Sequence, residues 1–226
     1  MSIEKNISEI KEKVYLAAQR SGRKSEDITI VAATKTVAPE RIQEAVNEGI
    51  INIGENRVQE LLDKYGKVEN GIWHFIGHLQ TNKVKYIVDK ASLIHSVESE
   101  RLLDEIEKTA GKMNTTAHVL IELNASGEES KFGIGYDDVM PIIENNEKRN
   151  HVKIDGLMTI GPNVRGEERI RKVFQDLYKL YLDIGQKKYY NSSMQFLSMG
   201  MSGDYEIAIE EGSNMVRIGT AIFGLR

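Results

Sequence analysis

The sequence predicts an α/β protein whose 226 residues form a single (β/α)8 barrel, or TIM barrel. Short apolar segments alternate with amphipathic helical segments along the chain, which is typical of parallel βαβ units. Eight strand segments can be counted, and eight parallel strands can close into a barrel. An open, doubly wound sheet is the alternative, but such sheets more often have about five or six strands. No low-complexity stretch or long linker divides the sequence, so one domain spanning 1–226 is expected.

An extra helix is predicted before the first strand, because five apolar residues share one helical face: Ile3, Ile7, Ile10, Val14 and Ala17. The segment 28–35 (ITIVAATK) is rich in β-branched residues and predicts the first strand. Pro39 follows at a position suited to the first turn of a helix, which is predicted over 39–48 and ends at Gly49.

The same alternation continues to the end of the chain. Further strands are predicted at 51–56, 73–78, 93–97, 117–125, 153–161, 194–202 and 215–224. Helices between them are predicted at 57–65, 80–91, 99–112, around 136–147, over a long segment that includes 173–184, and at 204–212. This gives seven helices between eight strands, and the helix before the first strand could occupy the place of the missing eighth.

The composition excludes several classes of function. A net charge of −4 gives no general electrostatic reason to expect nucleic acid or an anionic membrane as partner. No apolar run approaches the length of a membrane span, and the first twenty residues lack the apolar core of an export signal. Cysteine is absent, which excludes disulfides, thiol catalysis and thiolate metal sites and is consistent with the cytoplasm.

Lys35 is the first candidate site residue, because reactive groups of such barrels lie where strands end, at the C-terminal face. Strand alternation places Val31, Ala33 and Lys35 on one face, and the small Ala33 leaves space beside the lysine stem. A partly desolvated lysine has a lowered pKa and can form a Schiff base. The alternative is a surface lysine whose stem lies along the barrel rim, and position alone does not decide between the two.

The loops after the last two strands predict a phosphate site, as is common in this fold. They offer glycines and hydroxyls whose N–H and O–H groups suit a phosphate: Ser202, Gly203, Gly219 and Thr220. The alternative is that Ser202 and Asp204 cap the following helix, and both interpretations can hold together.

Arg217 is predicted to point into the barrel, because Val216 and Ile218 lie on the other face of its strand. A buried guanidinium is costly unless it is paired. Its partner is expected to be a carboxylate such as Glu55 or Glu122, or else the phosphate or ring nitrogen of a cofactor.

Other polar residues are weaker candidates. Asn56 could lie against a ring substituent, at the end of the second strand. His74 and His78 resemble a metal pair, but four residues of strand span about 13 Å, too far to chelate one ion, so no metal site is expected. Ser202 has no convincing histidine base, which argues against a hydrolase triad.

Seven motifs together resemble the pyridoxal phosphate homeostasis proteins, a family similar to the barrel domain of bacterial alanine racemase. They are VAATKT (31–36), IGENRVQE (53–60), WHFIGHLQTNK (73–83), SKFG (130–133), GLMTI (156–160), LSMGMSGD (197–204) and VRIGTAIFG (216–224). They occur in family order over nearly the whole chain. The resemblance implies a fold like that of the alanine racemase N-terminal domain and pyridoxal 5′-phosphate (PLP) as the cofactor.

The resemblance also implies roles for individual residues. Lys35 would form a Schiff base with PLP, Arg217 would face the pyridine nitrogen, and Asn56 would lie near the ring. The phosphate would be held by Ser202, Gly219 and Thr220, with the backbone of Gly200 and Met201 close by. Lys131, within SKFG, is a less secure contact to a cofactor molecule.

The family further implies PLP homeostasis without catalytic turnover. An arginine opposite the pyridine nitrogen weakens the electron sink that PLP enzymes use. Racemase-like enzymes have a second domain that supplies an opposing acid or base, and this chain ends at Arg226. The expected role is to buffer PLP or deliver it to apo PLP-dependent enzymes. A minimal PLP-dependent racemase and a phosphate-sugar barrel enzyme are the alternatives. The mixed-charge helix faces favour a monomer over a dimer.

Overall fold

A closed barrel of eight parallel strands forms the centre of the molecule. It is seen in a computed structural model that describes residues 2–128, 131–162 and 166–224. The strands follow one another around the barrel in sequence order: β1 (Thr29–Ala33), β2 (Asn52–Glu55), β3 (Ile72–Phe75), β4 (Leu93–Val97), β5 (Ala117–Leu123), β6 (Val152–Thr159), β7 (Ser192–Ser198) and β8 (Met215–Ile218). The predicted fold class is therefore confirmed. Ser130, the first residue of the SKFG motif, lies outside the described residues.

Helices surround the barrel: α1 (Ile3–Arg20), α2 (Pro39–Asn47), α3 (Val58–Lys64), α4 (Glu100–Lys112), α5 (Tyr136–Asn146), α6 (Glu167–Gly185), α7 (Tyr205–Glu210) and α8 (Thr220–Phe223). Local sequence explains where several of them begin. The Ser2 hydroxyl accepts a hydrogen bond from Lys5 N–H at the start of α1, and the Ser99 hydroxyl accepts one from Leu102 N–H at the start of α4. In the described residues, no helix is both long and apolar enough to cross a membrane.

Two predicted elements differ from the structure in type, beyond shifts in their bounds. The segment 80–91 is predicted to form an α-helix, but only Thr81–Tyr86 is helical, as a 3₁₀ helix, and a turn follows it. The segment 215–224 was expected to be one strand, but β8 ends at Ile218 and Thr220–Phe223 form the single turn α8. The apolar, β-branched run at 218–224 does suggest a strand, but the chain forms a helical turn in which Gly219 N–H and Ala221 N–H donate to Ser202 Oγ.

The opening helix does take the place of an eighth outer helix. It contacts α2, α7 and α8, and it buries the apolar face predicted from the sequence. Polar contacts fix it there: the Asn6 side chain donates to Ile222 O over 2.8 Å, and Arg20 pairs with Glu210 at 2.5 Å. The one-turn α8 alone would leave this side of the barrel uncovered.

Apolar side chains fill part of the barrel interior. Val31, Leu93, Leu120, Met158 and Met215 form a separate apolar cluster inside the strands. β6 and β7 approach each other very closely, because a Cβ added at Gly156 would lie 1.8 Å from Phe196 O, and Gly156 has a φ of +150°. The interior is therefore a packed core, and space for a ligand is expected at the C-terminal mouth.

Candidate cofactor site

Lys35 lies in the turn that follows β1, at the C-terminal mouth of the barrel. The next residue, Thr36, has a φ of +59°, which is strained for a β-branched side chain. The N–H of Thr36 donates to Glu60 Oε2 over 2.6 Å, and the buried Thr34 hydroxyl donates to Glu55 Oε1 over 2.6 Å. Hydrogen bonds on both sides of Lys35 therefore hold this turn in one conformation.

A cluster of charges under the turn connects these bonds. Lys64 Nζ donates to Glu55 Oε1 (2.7 Å), to Glu60 Oε2 (2.9 Å) and to Thr34 O (2.9 Å). Burial raises the pKa of Glu55, although the hydrogen bonds from Lys64 and Thr34 oppose the shift. The cluster of Glu55, Glu60 and Lys64 is not among the sites predicted from the sequence. The available signal was the spacing of four residues between Glu60 and Lys64 on a helix.

The side chain of Lys35 itself is exposed. Its amine has no hydrogen-bond or ion-pair partner within the described ranges. Of the two alternatives for Lys35, the structure therefore shows the surface lysine, because β1 ends at Ala33 and the turn carries Lys35 out over the rim. An unpaired amine at the mouth is nevertheless free to react with an aldehyde.

Arg217 points into the barrel, where its side chain is buried. Its Nη1 donates to Ser198 O (2.9 Å) and Ser198 Oγ (2.7 Å), and its Nη2 donates to Thr159 O (2.8 Å). The expected carboxylate pairing is not found, since Glu55 and Glu122, both among the described residues, form no ion pair with it. Burial lowers the pKa of Arg217 to about 10, although the charges of Glu122 and Asp204 act to raise it. The guanidinium therefore stays charged at neutral pH.

Glu122 is a second ionisable group inside the barrel, on β5. Its side chain is buried, and burial together with the neighbouring Glu98 raises its pKa to about 7, against the opposing effect of Arg217. Ionising this carboxyl is therefore harder in the folded protein than in the unfolded chain, where the pKa is 4.5. As the pH rises from 4.5 to about 7, the fold loses stability that it keeps at lower pH.

Glu122→Gln is expected to remove this loss. Above about pH 7 the variant should be more stable than the wild-type protein by about 3 kcal/mol, and near pH 4.5 the two should be alike. Urea unfolding at about pH 5 and pH 8 measures the difference. The matched control is Glu144→Gln, at an exposed position. A stability gain in the Glu122→Gln variant that is equal at both pH values would contradict a raised pKa of Glu122.

The loops after β7 and β8 are tied together by Ser202. Its Oγ accepts hydrogen bonds from Gly219 N–H (3.2 Å) and Ala221 N–H (3.3 Å). Ser202 therefore caps α8, and the expectation that it caps the helix after β7 is wrong. Asp204 precedes that helix, α7, and accepts from Met201 N–H over 2.6 Å without capping it.

These contacts bring the predicted phosphate residues together. Gly219 and Thr220 lie beside Ser202, with Met201 and Gly203 on the adjoining loop. The N–H groups of Gly203 and Thr220 find no hydrogen-bond acceptor among the described residues. A Cβ added at Gly203 would meet nothing within 4 Å, so this side of the loop is open. An anion could approach these donors closely.

Asn56 follows β2 at the same mouth. Its Oδ1 is buried and has no hydrogen-bond partner within the residues described. Gly77 allows this arrangement, because a Cβ there would lie 2.2 Å from Asn56 O. A buried acceptor without a donor is costly in a finished fold, so it fits a site that a ligand completes.

The amine of Lys131 already donates hydrogen bonds within the protein. Its Nζ donates to Gly161 O (2.7 Å) and to Glu128 Oε1 (2.8 Å), which ties the loop after β5 to the end of β6. A contact between Lys131 and a cofactor molecule stays a prediction, and it would require these bonds to be exchanged. His74 and His78 have separate partners: His74 contacts His95, while His78 pairs with Glu98 and stacks on Phe132.

Comparison with known proteins decides the family. The profile described as "Alanine racemase, N-terminal domain" matches residues 5–226. A curated relative from Aquifex aeolicus (strain VF5), named pyridoxal phosphate homeostasis protein, is 45% identical over 222 residues, which is 97% of this chain and 96% of the relative. The chain belongs to the pyridoxal phosphate homeostasis protein family. The resemblance drawn from the motifs is thereby confirmed.

Solved structures are similar over the same length. An unknown protein from Bifidobacterium adolescentis is 34% identical with a TM-score of 0.93, covering 98% of this chain and 94% of that one. PipY of Synechococcus elongatus PCC7942, solved with PLP bound, is 28% identical with a TM-score of 0.82. That match covers 95% of this chain and 100% of PipY. Both solved proteins thus share the barrel described above.

Proposed function

We propose that this chain, acting as one domain over 1–226, binds PLP through Lys35 and serves intracellular PLP homeostasis. The observation that carries the proposal is the free Lys35 amine at the same barrel mouth as the inward Arg217 and the Ser202 loops. The names of the relatives and the PLP-bound PipY structure support it. In this account the protein buffers PLP or hands it to apo PLP-dependent enzymes.

Each residue has a role that its chemistry supports. The Lys35 amine condenses with the aldehyde of PLP, forming a C=N bond as one water leaves. In the proposed complex the phosphate accepts from the Ser202 hydroxyl and from the free N–H of Thr220. It also accepts from Gly219 N–H once that group gives up its bond to Ser202 Oγ, and Met201 lies on the same loop. Arg217 faces the ring nitrogen, and the unpartnered Asn56 Oδ1 accepts from a ring substituent.

Arg217 is one feature that favours holding PLP over catalytic turnover. When bound, PLP supplies an electron-withdrawing ring, whose pull on electrons is strongest when the ring nitrogen is protonated. A guanidinium that is charged at neutral pH can only donate to that nitrogen and so keeps it unprotonated. The exposed position of Lys35 leaves the C=N bond open to an incoming amine, which suits release.

The experiment that tests this function compares transfer with turnover. Purified holoprotein is incubated with each L-amino acid in deuterated water, and separately with an apo PLP-dependent enzyme. We expect activation of the apoenzyme and no exchange of the amino-acid Cα proton at enzymatic rates. Rapid Cα exchange or racemisation would instead establish the minimal racemase. The cytoplasmic location and the monomeric state stay predictions, and size-exclusion chromatography with light scattering tests the latter.

A further inference from the structure

A chain of hydrogen bonds crosses the barrel interior and ends on Arg217. Asn52 Oδ1 lies 3.1 Å from His74 Nε2, and His74 Nδ1 lies 2.9 Å from His95 Nε2. His95 Nδ1 lies 3.1 Å from Ser198 Oγ, which accepts from Arg217 Nη1 over 2.7 Å. The chain therefore joins residues of β2, β3 and β4 to β7 and β8 on the opposite side of the barrel.

The two ends of the chain fix its direction. A guanidinium can only donate, and an amide oxygen can only accept. Ser198 accepts from Arg217, so its own proton is free to go to His95 Nδ1. His95 then carries its proton on Nε2 and donates to His74 Nδ1. His74 likewise carries its proton on Nε2 and donates to Asn52 Oδ1.

The opposite direction fails at both ends. His74 would then present an unprotonated Nε2 to Asn52 Oδ1, so that two acceptors face each other. Ser198 would receive donors from both His95 and Arg217, and its buried hydroxyl proton would lose its acceptor. One set of tautomers therefore satisfies every group in the chain.

Burial keeps both imidazoles neutral, as this arrangement requires. His95 is fully buried and His74 is nearly so. Burial lowers the pKa of His74 to about 4, and burial, His74 and Arg217 together hold the pKa of His95 well below its usual range. The direction of the chain is thus set at neutral pH.

We propose that His74 and His95 are positioning residues that hold the Ser198 hydroxyl as an acceptor and so fix the Arg217 guanidinium where it meets the ring nitrogen of PLP. Of the acceptors that Arg217 uses, Thr159 O and Ser198 O are held by the backbone. The Ser198 hydroxyl can rotate, and His95 is the group that stops it. The consequence for the cofactor rests on the proposed function; the direction of the chain does not.

A first experiment examines the chain without cofactor. In ¹⁵N-labelled apoprotein at neutral pH, the nitrogen shifts of His74 and His95 are expected to show protonated Nε2 and unprotonated Nδ1. A proton on Nδ1 of either ring, or a charged ring, would overturn the proposal. The same spectra report on the guanidinium of Arg217, whose Nη–H signals should be sharp because rotation is hindered.

Paired substitutions then separate positioning from packing. His95→Asn places an acceptor where Nδ1 lies and so keeps the contact with Ser198. His95→Gln keeps a donor near Nε2 but loses the contact with Ser198. We expect PLP affinity close to wild type for Asn and about tenfold weaker for Gln and for His95→Leu, as for one lost hydrogen bond. The Arg217 signals should broaden in the same two variants. His118→Gln is the matched control, because His118 pairs with Asp155 outside the chain.

The outcomes are distinguishable. Equal behaviour of the Asn and Gln variants, in affinity and in the Arg217 signals, would mean that His95 only fills the core and would overturn the proposal. If a variant fails to fold, the tautomers and Arg217 signals of the wild-type apoprotein decide. If the wild-type protein fails to bind PLP, the proposed function and the positioning role toward PLP fall together, whereas the Arg217 signals still test the chain itself.

Discussion

Lys35→Ala is expected to abolish the covalent PLP complex and its yellow colour while leaving the fold intact. The Lys35 amine has no partner among the described residues and the side chain is exposed, so its loss should change the free energy of unfolding by less than about 0.5 kcal/mol. Weak, reversible PLP binding should persist, because the Ser202 and Gly219 contacts do not involve Lys35.

Absorbance after dialysis against buffer measures the covalent complex, and urea unfolding measures stability. The matched control is Lys67→Ala, which removes another exposed lysine whose side chain forms no hydrogen bond or ion pair with a candidate site residue among the described residues. A dialysis-resistant chromophore in the Lys35 variant would show that a different amine carries PLP. Loss of the chromophore in the Lys67 variant would also contradict the assignment.

The second large effect is expected at Arg217, where Lys should be a worse replacement than Met. A lysine ammonium keeps the buried charge but cannot reach Thr159 O and Ser198 together, so Arg217→Lys should cost about 3 kcal/mol of apoprotein stability. Arg217→Met also leaves those oxygens unpaired, but it removes the charge whose burial is unfavourable, and should cost about 1 kcal/mol.

Urea unfolding of the two apoproteins measures this order, and PLP titration measures the functional cost. Both variants should bind PLP more weakly, since neither presents a planar donor to the ring nitrogen. A Met variant less stable than the Lys variant would mean that the hydrogen bonds of Arg217 outweigh the cost of burying its charge.

The barrel and the inward direction of Arg217 follow from the sequence because both depend on local periodicity. Val216 and Ile218 flank Arg217 on a strand, and a period of two leaves only one direction for the arginine. Lys35 was placed at the correct mouth for the same reason. The sequence could not decide between a buried and an exposed Lys35, because its exposure depends on a turn in which Thr36 adopts a positive φ that Thr rarely adopts.

The hydrogen-bond partners of Arg217 were not predicted because they come from other strands, Ser198 from β7 and Thr159 from β6. His95 and Ser198 are 103 residues apart in sequence, and only the closure and register of the barrel bring them together. A signal was present, since His74 and His95 interrupt apolar strands and buried polar groups require partners. His74 was considered only with His78, its neighbour in sequence, whereas its true partner lies on the next strand.

Borohydride reduction followed by peptide mass spectrometry tests the central claim most directly. Holoprotein is reduced, digested and searched for the lysine that carries the pyridoxyl group, with the Lys35→Ala variant treated in parallel. We expect the label on Lys35 in the wild-type protein and no stoichiometric label in the variant. A pyridoxyl group on any other lysine, Lys131 included, would contradict it.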